Sequence, residues 1–139
     1  MGHAIVLPGV TRRILIVDDD QATRSGLKRF FERATYEVIA VSTFADGRIA
    51  LAESAPDILI ADVRLGEFNG LHLIVTNPRP IPTIIVTGFA DPVLEADARH
   101  LGAEYLLKPV SPAALMDLVK QKLGDADGPE RTQETSLDD

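Results

Sequence analysis

Hydrophobic positions along the chain alternate between short unbroken runs and a three- and four-residue spacing. "RILIVD", residues 13–18, is a continuous apolar run closed by an acid, the pattern of a strand buried on both faces of a parallel sheet. "QATRSGLKRFFERA" follows and spaces Leu27, Phe30, Phe31 and Ala34 as on one face of an amphipathic helix, with Asp20 placed to cap it. "YEVIAV" predicts a second strand. "TFADGRIALAES" predicts a helix opened by Ser42 or Thr43, with Phe44, Ile49, Leu51 and Ala52 as its apolar positions and Gly47 weakening it. "DILIAD", residues 57–62, repeats the logic of the first strand; "PTIIVTG", residues 82–88, and "EYLLKP" give a fourth and a fifth. "DPVLEADARHLG" and "SPAALMDLVKQKLG" each carry a capping residue, a Pro at the first helical position and a terminal Gly, so both ends of both helices are signalled. Only "LHLIVTNPRPI" separates Gly70 from the fourth strand. Pro78 and Pro80 stop helix continuation there, which predicts a third helix of one or two turns, the least stable of the set.

Five strand-to-helix alternations argue for a parallel sheet between two helical layers, joined by right-handed crossovers. Composition supports a single domain: 139 residues, 45% hydrophobic and 25% charged, are enough for one core. The net charge of −7, without any basic cluster, argues against nucleic acid or an anionic membrane as partner. The absence of Cys excludes thiol catalysis, disulfides and thiolate metal sites. "AIVL" near the start is broken by Pro8 and Gly9 and follows no basic region, and no apolar run approaches the roughly 18 residues of a membrane span, so a cytoplasmic protein is expected. Residues 1–11 are read as an uninformative N-terminal extension and 12–123 as the domain. Residues 124–139 are read as an acidic tail whose composition predicts disorder.

Ligands of open parallel α/β sheets bind beyond the carboxyl ends of the strands, and these ends are where the polar residues fall. Strand one ends in Asp18 and Asp19, strand three in Asp62, strand four in Thr87 and strand five in Lys108. Three carboxylates brought together would repel by about 4 kcal/mol per pair at ~4 Å and an effective dielectric near 20, so a cation is expected among them. Oxygen ligands with open positions suit a hard divalent ion, Mg2+ above all. With Lys108, such an ion would neutralise the carboxylates and allow a phosphoryl group to approach; the Thr87 hydroxyl and the Lys108 charge suit its oxygens. Asp20 is read as a helix cap rather than a ligand. His72 and His100 have no partner at metal-ligand spacing and are read as spectators, and Phe30 and Phe31 as core.

"VDDD", "ILIADVRL…NG" with Gly70 eight residues after Asp62, "IIVTGFA" and "YLLKPV" resemble, in that order, the receiver domain of response regulators in two-component signalling. The resemblance spans residues 12–123. It implies a flavodoxin-like, doubly wound five-stranded parallel sheet in the order 2-1-3-4-5 with five helices. It implies Asp62 as phospho-acceptor from a histidine kinase or histidine phosphotransfer protein, and Mg2+ held by Asp19 directly, by Asp18 through water, and by Asp62 and the backbone carbonyl of Arg64. Thr87 and Lys108 would contact the phosphoryl group, Tyr105 would be the switch aromatic, and the Lys108–Pro109 bond would be cis. A downstream protein or a second copy would read the face of the fourth helix, fifth strand and fifth helix. Such a chain, stand-alone or excised from a longer one, is a signalling domain rather than an enzyme. It has at most slow self-dephosphorylation, with Arg64 and Phe89 flanking the path of the hydrolytic water. Two departures stand out: Gly66 occupies the place of the family's usual Pro, which predicts a more mobile loop, and the third helix is shorter than the family norm.

Rival functions fit less of the chain. "DDDQAT" matches the Asp-x-Asp of haloacid-dehalogenase phosphatases, with Asp18 as nucleophile and Asp20 as acid/base, but the late acidic pair of that family is missing after Lys108. A flavodoxin-like nucleotide carrier would need a Gly-, Ser- or Thr-rich phosphate loop after the first strand, and none follows. A receiver-fold scaffold that never turns over phosphate would have no use for the complete acceptor set.

Overall fold

The structure, a computed structural model, describes residues 11–124; the rest of the expected N-terminal extension and acidic tail lies outside the described residues. In chain order the elements are β1 (Arg13–Val17), α1 (Gln21–Arg33), β2 (Glu37–Val41), α2 (Phe44–Glu53), β3 (Ile58–Ala61), β4 (Arg64–Leu65), β5 (Phe68–Asn69), α3 (Leu71–Val75), β6 (Thr83–Thr87), α4 (Pro92–His100), β7 (Glu104–Leu107) and α5 (Pro112–Leu123). The main sheet runs β2-β1-β3-β6-β7 with every pair parallel, which is the expected order, since β6 and β7 are its fourth and fifth strands.

The period of two along each strand divides the core between the faces of the sheet. Leu15, Val17, Leu59, Ala61 and Ile85 face α2 and α3, while Ile14, Ile16, Ile58, Ile60, Ile84 and Val86 face α1 and α5, where Phe31, Leu115 and Val119 meet them. Every residue of β3 and β6 is buried, so the unbroken apolar runs mark central strands covered on both sides. Phe31 is wholly buried between the edges of Phe30 and Tyr36, at ring-centroid distances of 5.4 and 5.9 Å. Phe31→Ala would therefore open a cavity costing about 3–5 kcal/mol.

Helix starts follow the cap residues. Asp20 accepts from Thr23 N at 2.9 Å, Asp91 from Val93 N and Leu94 N, and Ser111 from Ala114 N. Thr43, not Ser42, caps α2 and accepts from Asp46 N at 3.0 Å. Gly102 (φ +85°) and Gly124 (φ +72°) end α4 and α5 in the left-handed conformation that glycine adopts without strain.

Two details go beyond the sequence pattern. In α2 the buried positions are Phe44, Gly47, Ala50 and Leu51; Ile49 is 53% exposed and Ala52 is exposed too. The cause is Gly47, which lets the helix approach β1 so closely that a Cβ at this position would lie 3.0 Å from Val17 Cγ2. The contact line runs through the glycine and turns Ile49 to solvent. The second concerns the loop after Asp62, which contains a paired hairpin, β4 and β5, that the sequence pattern did not predict. Gly66 begins its two-residue turn at φ +64°, a value closed to the Pro the family usually places there. Buried Leu65 and the stacking of Phe68 on Phe44, 4.8 Å between centroids, pin the hairpin to the domain. The third helix is as short as expected, five residues, and holds on through buried Leu71 and Leu73.

Candidate functional site

Backbone pairing continues one residue beyond three of the strands. Asp18 N donates to Val41 O (3.1 Å), Asp62 N to Val17 O (2.9 Å) and Lys108 N to Thr87 O (2.8 Å). These bonds bring residues far apart in sequence to one end of the sheet and fix their backbones independently of any side-chain contact. Gly70 completes the support: its N–H donates to Val63 O at 2.6 Å, and a Cβ added to it would collide with the Asp62 carbonyl oxygen. Only glycine lets the hairpin close this tightly behind Asp62. The Lys108–Pro109 bond is cis.

Lys108 Nζ donates to Asp18 Oδ2 at 2.9 Å and to Asp62 Oδ2 at 3.1 Å. The second oxygen of each carboxylate is also occupied: Asp62 Oδ1 accepts from Arg64 N (3.1 Å) and Asp18 Oδ1 from Asp20 N (2.9 Å). Asp18 and Asp62 are buried and Asp19 is exposed. Burial pushes the Lys108 ammonium towards deprotonation, but the hydrogen bonds and charges of Asp18 and Asp62 outweigh it and hold its pKa above the ordinary lysine value. It is therefore a permanent cation at neutral pH.

One ammonium does not balance three carboxylates. Asp18, Asp19 and Asp62 each offer an oxygen within 4.8 Å of the others, an all-oxygen set of the kind hard divalent cations take. Two oxygens bound directly to one Mg2+ at about 2.1 Å lie no more than ~4.2 Å apart, and carboxylate oxygens all within 4.8 Å of one another are near that span. The residues fit the ion.

Thr87 lies buried at the end of β6, its Oγ1 accepting from Phe89 N at 3.4 Å. Tyr105 stands apart from the carboxylates, opposite Ile85 in the ladder, with its ring buried and its hydroxyl donating to Phe89 O at 2.9 Å. Desolvation raises the pKa of that phenol. Phe89 thus touches Thr87 through its N–H and Tyr105 through its carbonyl, and its ring carries the Arg64 guanidinium 3.6 Å above the centroid. The stacking of Arg64 on Phe89 was not legible in the sequence, where 25 residues separate them. Asp20 commits its carboxylate to Thr23 N and Thr23 Oγ1, bonds that lower its pKa and suit a cap rather than an acid/base. His72 and His100 are exposed, His72 lying edge-on to Phe44. Sequence reasoning also passed over Arg24, whose guanidinium donates to the Asp18 carbonyl at 2.9 Å; its position one turn into α1 was the available signal.

Known proteins resemble this chain over most of its length. Residues 14–120 match the response regulator receiver domain family. The chain is 38% identical over 118 residues to the transcriptional regulatory protein GltR of Pseudomonas aeruginosa, covering 81% of this chain and 49% of GltR, so it spans about half the length of that relative. It is 30% identical over 123 residues to the polar-differentiation response regulator DivK of Brucella ovis, covering 84% of this chain and all of DivK. Among solved structures, a CheY-like response regulator receiver domain protein from Methanospirillum hungatei superposes with a TM-score of 0.80 at 32% identity, covering 83% of this chain and 95% of the other.

Proposed function

The chain belongs to the response regulator receiver domain family, and from that premise we propose that Asp62 accepts a phosphoryl group from a histidine kinase or histidine phosphotransfer protein. The observation that carries this reading is the Lys108 ammonium bridging Asp18 and Asp62, partners 90 and 46 residues away, at the carboxyl end of the sheet. An Asp62 carboxylate oxygen attacks phosphorus as the bond from phosphorus to the donor imidazole nitrogen breaks; with the other ring nitrogen protonated, the imidazole leaves neutral and the product is an aspartyl phosphate. Lys108 and the Thr87 hydroxyl then hold phosphoryl oxygens. Asp19, Asp18 through water, Asp62 and the backbone carbonyl of Arg64 would hold Mg2+, which when bound supplies the positive charge that the carboxylate cluster lacks.

The output follows from Phe89, whose peptide touches both Thr87 and Tyr105. Drawing the Thr87 hydroxyl toward a phosphoryl oxygen favours the conformer with Tyr105 buried, the one its ring already adopts here, and the ligand shifts that equilibrium only by its differential affinity. A charge-assisted hydrogen bond of about 1.5–3 kcal/mol supplies such a bias. A downstream protein or a second copy reads the surface of α4, β7 and α5. The chain acts in the cytoplasm as a signalling domain, with slow self-dephosphorylation under the stacked Arg64 and Phe89.

The test is intact-mass analysis after acetyl phosphate and Mg2+. Wild type gains one phosphoryl group and Asp62→Asn gains none. Label persisting on Asp62→Asn rejects the acceptor assignment, and label on Asp18 favours the phosphatase alternative. For the switch, beryllofluoride should shift amide resonances at Tyr105 in wild type and not in Thr87→Ala; equal distant shifts in both would reject Thr87 as the link.

A further inference from the structure

A groove of about 750 Å3 runs along α1 beside the start of α5, with Leu27, Phe30, Val110 and Leu115 among its lining and Arg29 and Arg33 on the α1 side. The cations of α1 divide into two groups. Arg24 and Lys28 have partners, the Asp18 carbonyl and Glu32 respectively. Arg29 and Arg33 are exposed and have no carboxylate partner among the described residues, although they stand one turn apart, where like charges repel. An anionic occupant would relieve that repulsion.

The chain itself carries such a segment. Residues 125–139 contain six carboxylates, at Asp125, Asp127, Glu130, Glu134, Asp138 and Asp139, against the single cation Arg131. Both α1 and α5 run back from the carboxyl end of the sheet to its amino end, so Gly124 leaves α5 at the end where Arg33 lies; there Arg12 donates to the Leu123 carbonyl at 3.2 Å. A helix of twelve residues is about 18 Å long and fifteen extended residues reach about 50 Å, so the segment can traverse the groove.

We propose that the acidic segment 125–139 docks in the groove beside α1, its carboxylates on Arg29 and Arg33. Exposed ion pairs are individually weak and salt-screened, but a short tether provides an effective concentration in the millimolar range, so occupancy is partial and tunable by salt. Because the lining also includes Lys108 and Pro109, a docked segment would crowd a protein-sized phosphodonor more than a small one. That consequence rests on the proposed function; the docking does not.

The experiment compares amide spectra of the full chain with those of a variant in which the six carboxylates become Asn or Gln. Docking predicts shift differences concentrated at Leu27 to Arg33 and Val110 to Leu115, independent of protein concentration and at least halved in about 0.5 M NaCl. The same loss is expected in Arg29→Glu/Arg33→Glu, both exposed positions at which the fold is not at stake. A synthetic peptide of residues 125–139 added to the neutralised variant should move the same resonances. Differences that grow with protein concentration would assign the groove to a second copy and overturn the intramolecular proposal. Unchanged groove resonances would overturn docking altogether, whatever the outcome of Asp62 labelling.

Discussion

The two ends of the sheet hold the same kinds of charge in different proportion. At the amino ends, Arg13 pairs with Glu37 at 3.1 Å and donates its backbone N–H to Asp57 and its guanidinium to the Ser54 carbonyl. Glu104 pairs with Lys122 at 2.7 Å and lies 3.8 Å from Arg99, which also holds Glu95. Arg13, Arg99 and Lys122 are thus matched to anions, and the paired side chains are 27–52% exposed, so each pair contributes no more than about 1 kcal/mol. At the carboxyl ends, three carboxylates share one ammonium, and Asp18 and Asp62 are nearly enclosed. Matched charge fastens helices to strands, whereas surplus charge of one sign in a partly buried place costs stability and persists where a ligand completes it.

The largest test of this contrast acts on the backbone behind the surplus. Gly70→Ala forces a Cβ into the Asp62 carbonyl, and should destabilise by about 1–3 kcal/mol in chemical denaturation, with loss of Mg2+ response. Wild-type stability would show that the hairpin yields freely and that its packing does not position Asp62.

Metal linkage comes next. Mg2+ at ten times its dissociation constant should stabilise wild type by about 1.4 kcal/mol, a rise of roughly 5 °C in Tm for a domain of this size. Asp19→Ala should abolish the rise and Arg13→Met, at the opposite end, should leave it intact. An equal rise in Asp19→Ala would remove Asp19 from the ion's ligands.

The Arg64 and Phe89 stack concerns lifetime rather than stability. Arg64→Ala and Phe89→Ala should each hasten decay of the aspartyl phosphate several-fold, about 1 kcal/mol of barrier. Unchanged decay after purification from acetyl phosphate would mean that the stack does not shield the acyl phosphate.

The smallest effect is the sharpest, because one kind of change should have opposite signs at the two ends. Without metal, Asp19→Asn relieves repulsion and should raise Tm. Glu104→Gln removes a matched partner and should lower stability by less than about 1 kcal/mol at pH 7. The Lys122 hydrogen bond, with the nearby positive charges, lowers the Glu104 pKa below its ordinary 4.5. Its contribution is therefore complete above pH 4.5 and fades as pH falls through the lowered folded-state value. The deficit of Glu104→Gln should shrink along that path, and a deficit constant down to pH 3 would show that the loss is packing rather than charge.

Local pattern was enough for the five strands of the main sheet, the helix caps, the short third helix and the loading of strand ends with Asp18, Asp19, Asp62, Thr87 and Lys108. Each of these depends on neighbours within a few residues: an apolar run, a side chain three positions before an N–H, a glycine free to turn left-handed. The order of the strands came from the resemblance to a family and not from periodicity. Contacts between elements remained for the tertiary structure to decide. The apolar positions of α2 did not show which of them is buried; the close approach at Gly47 sets that face and leaves Ile49 in solvent. The motif included Gly70 without a reason, and the reason is the Asp62 carbonyl behind it. Lys108 was assigned to an incoming phosphoryl group, yet the fold brings its ammonium 90 residues back to Asp18 and 46 back to Asp62. Composition and spacing record which chemical groups are available; distance, burial and partner arise only when parallel pairing brings separate strand ends into one place, because none of them is a property of a residue and its sequence neighbours.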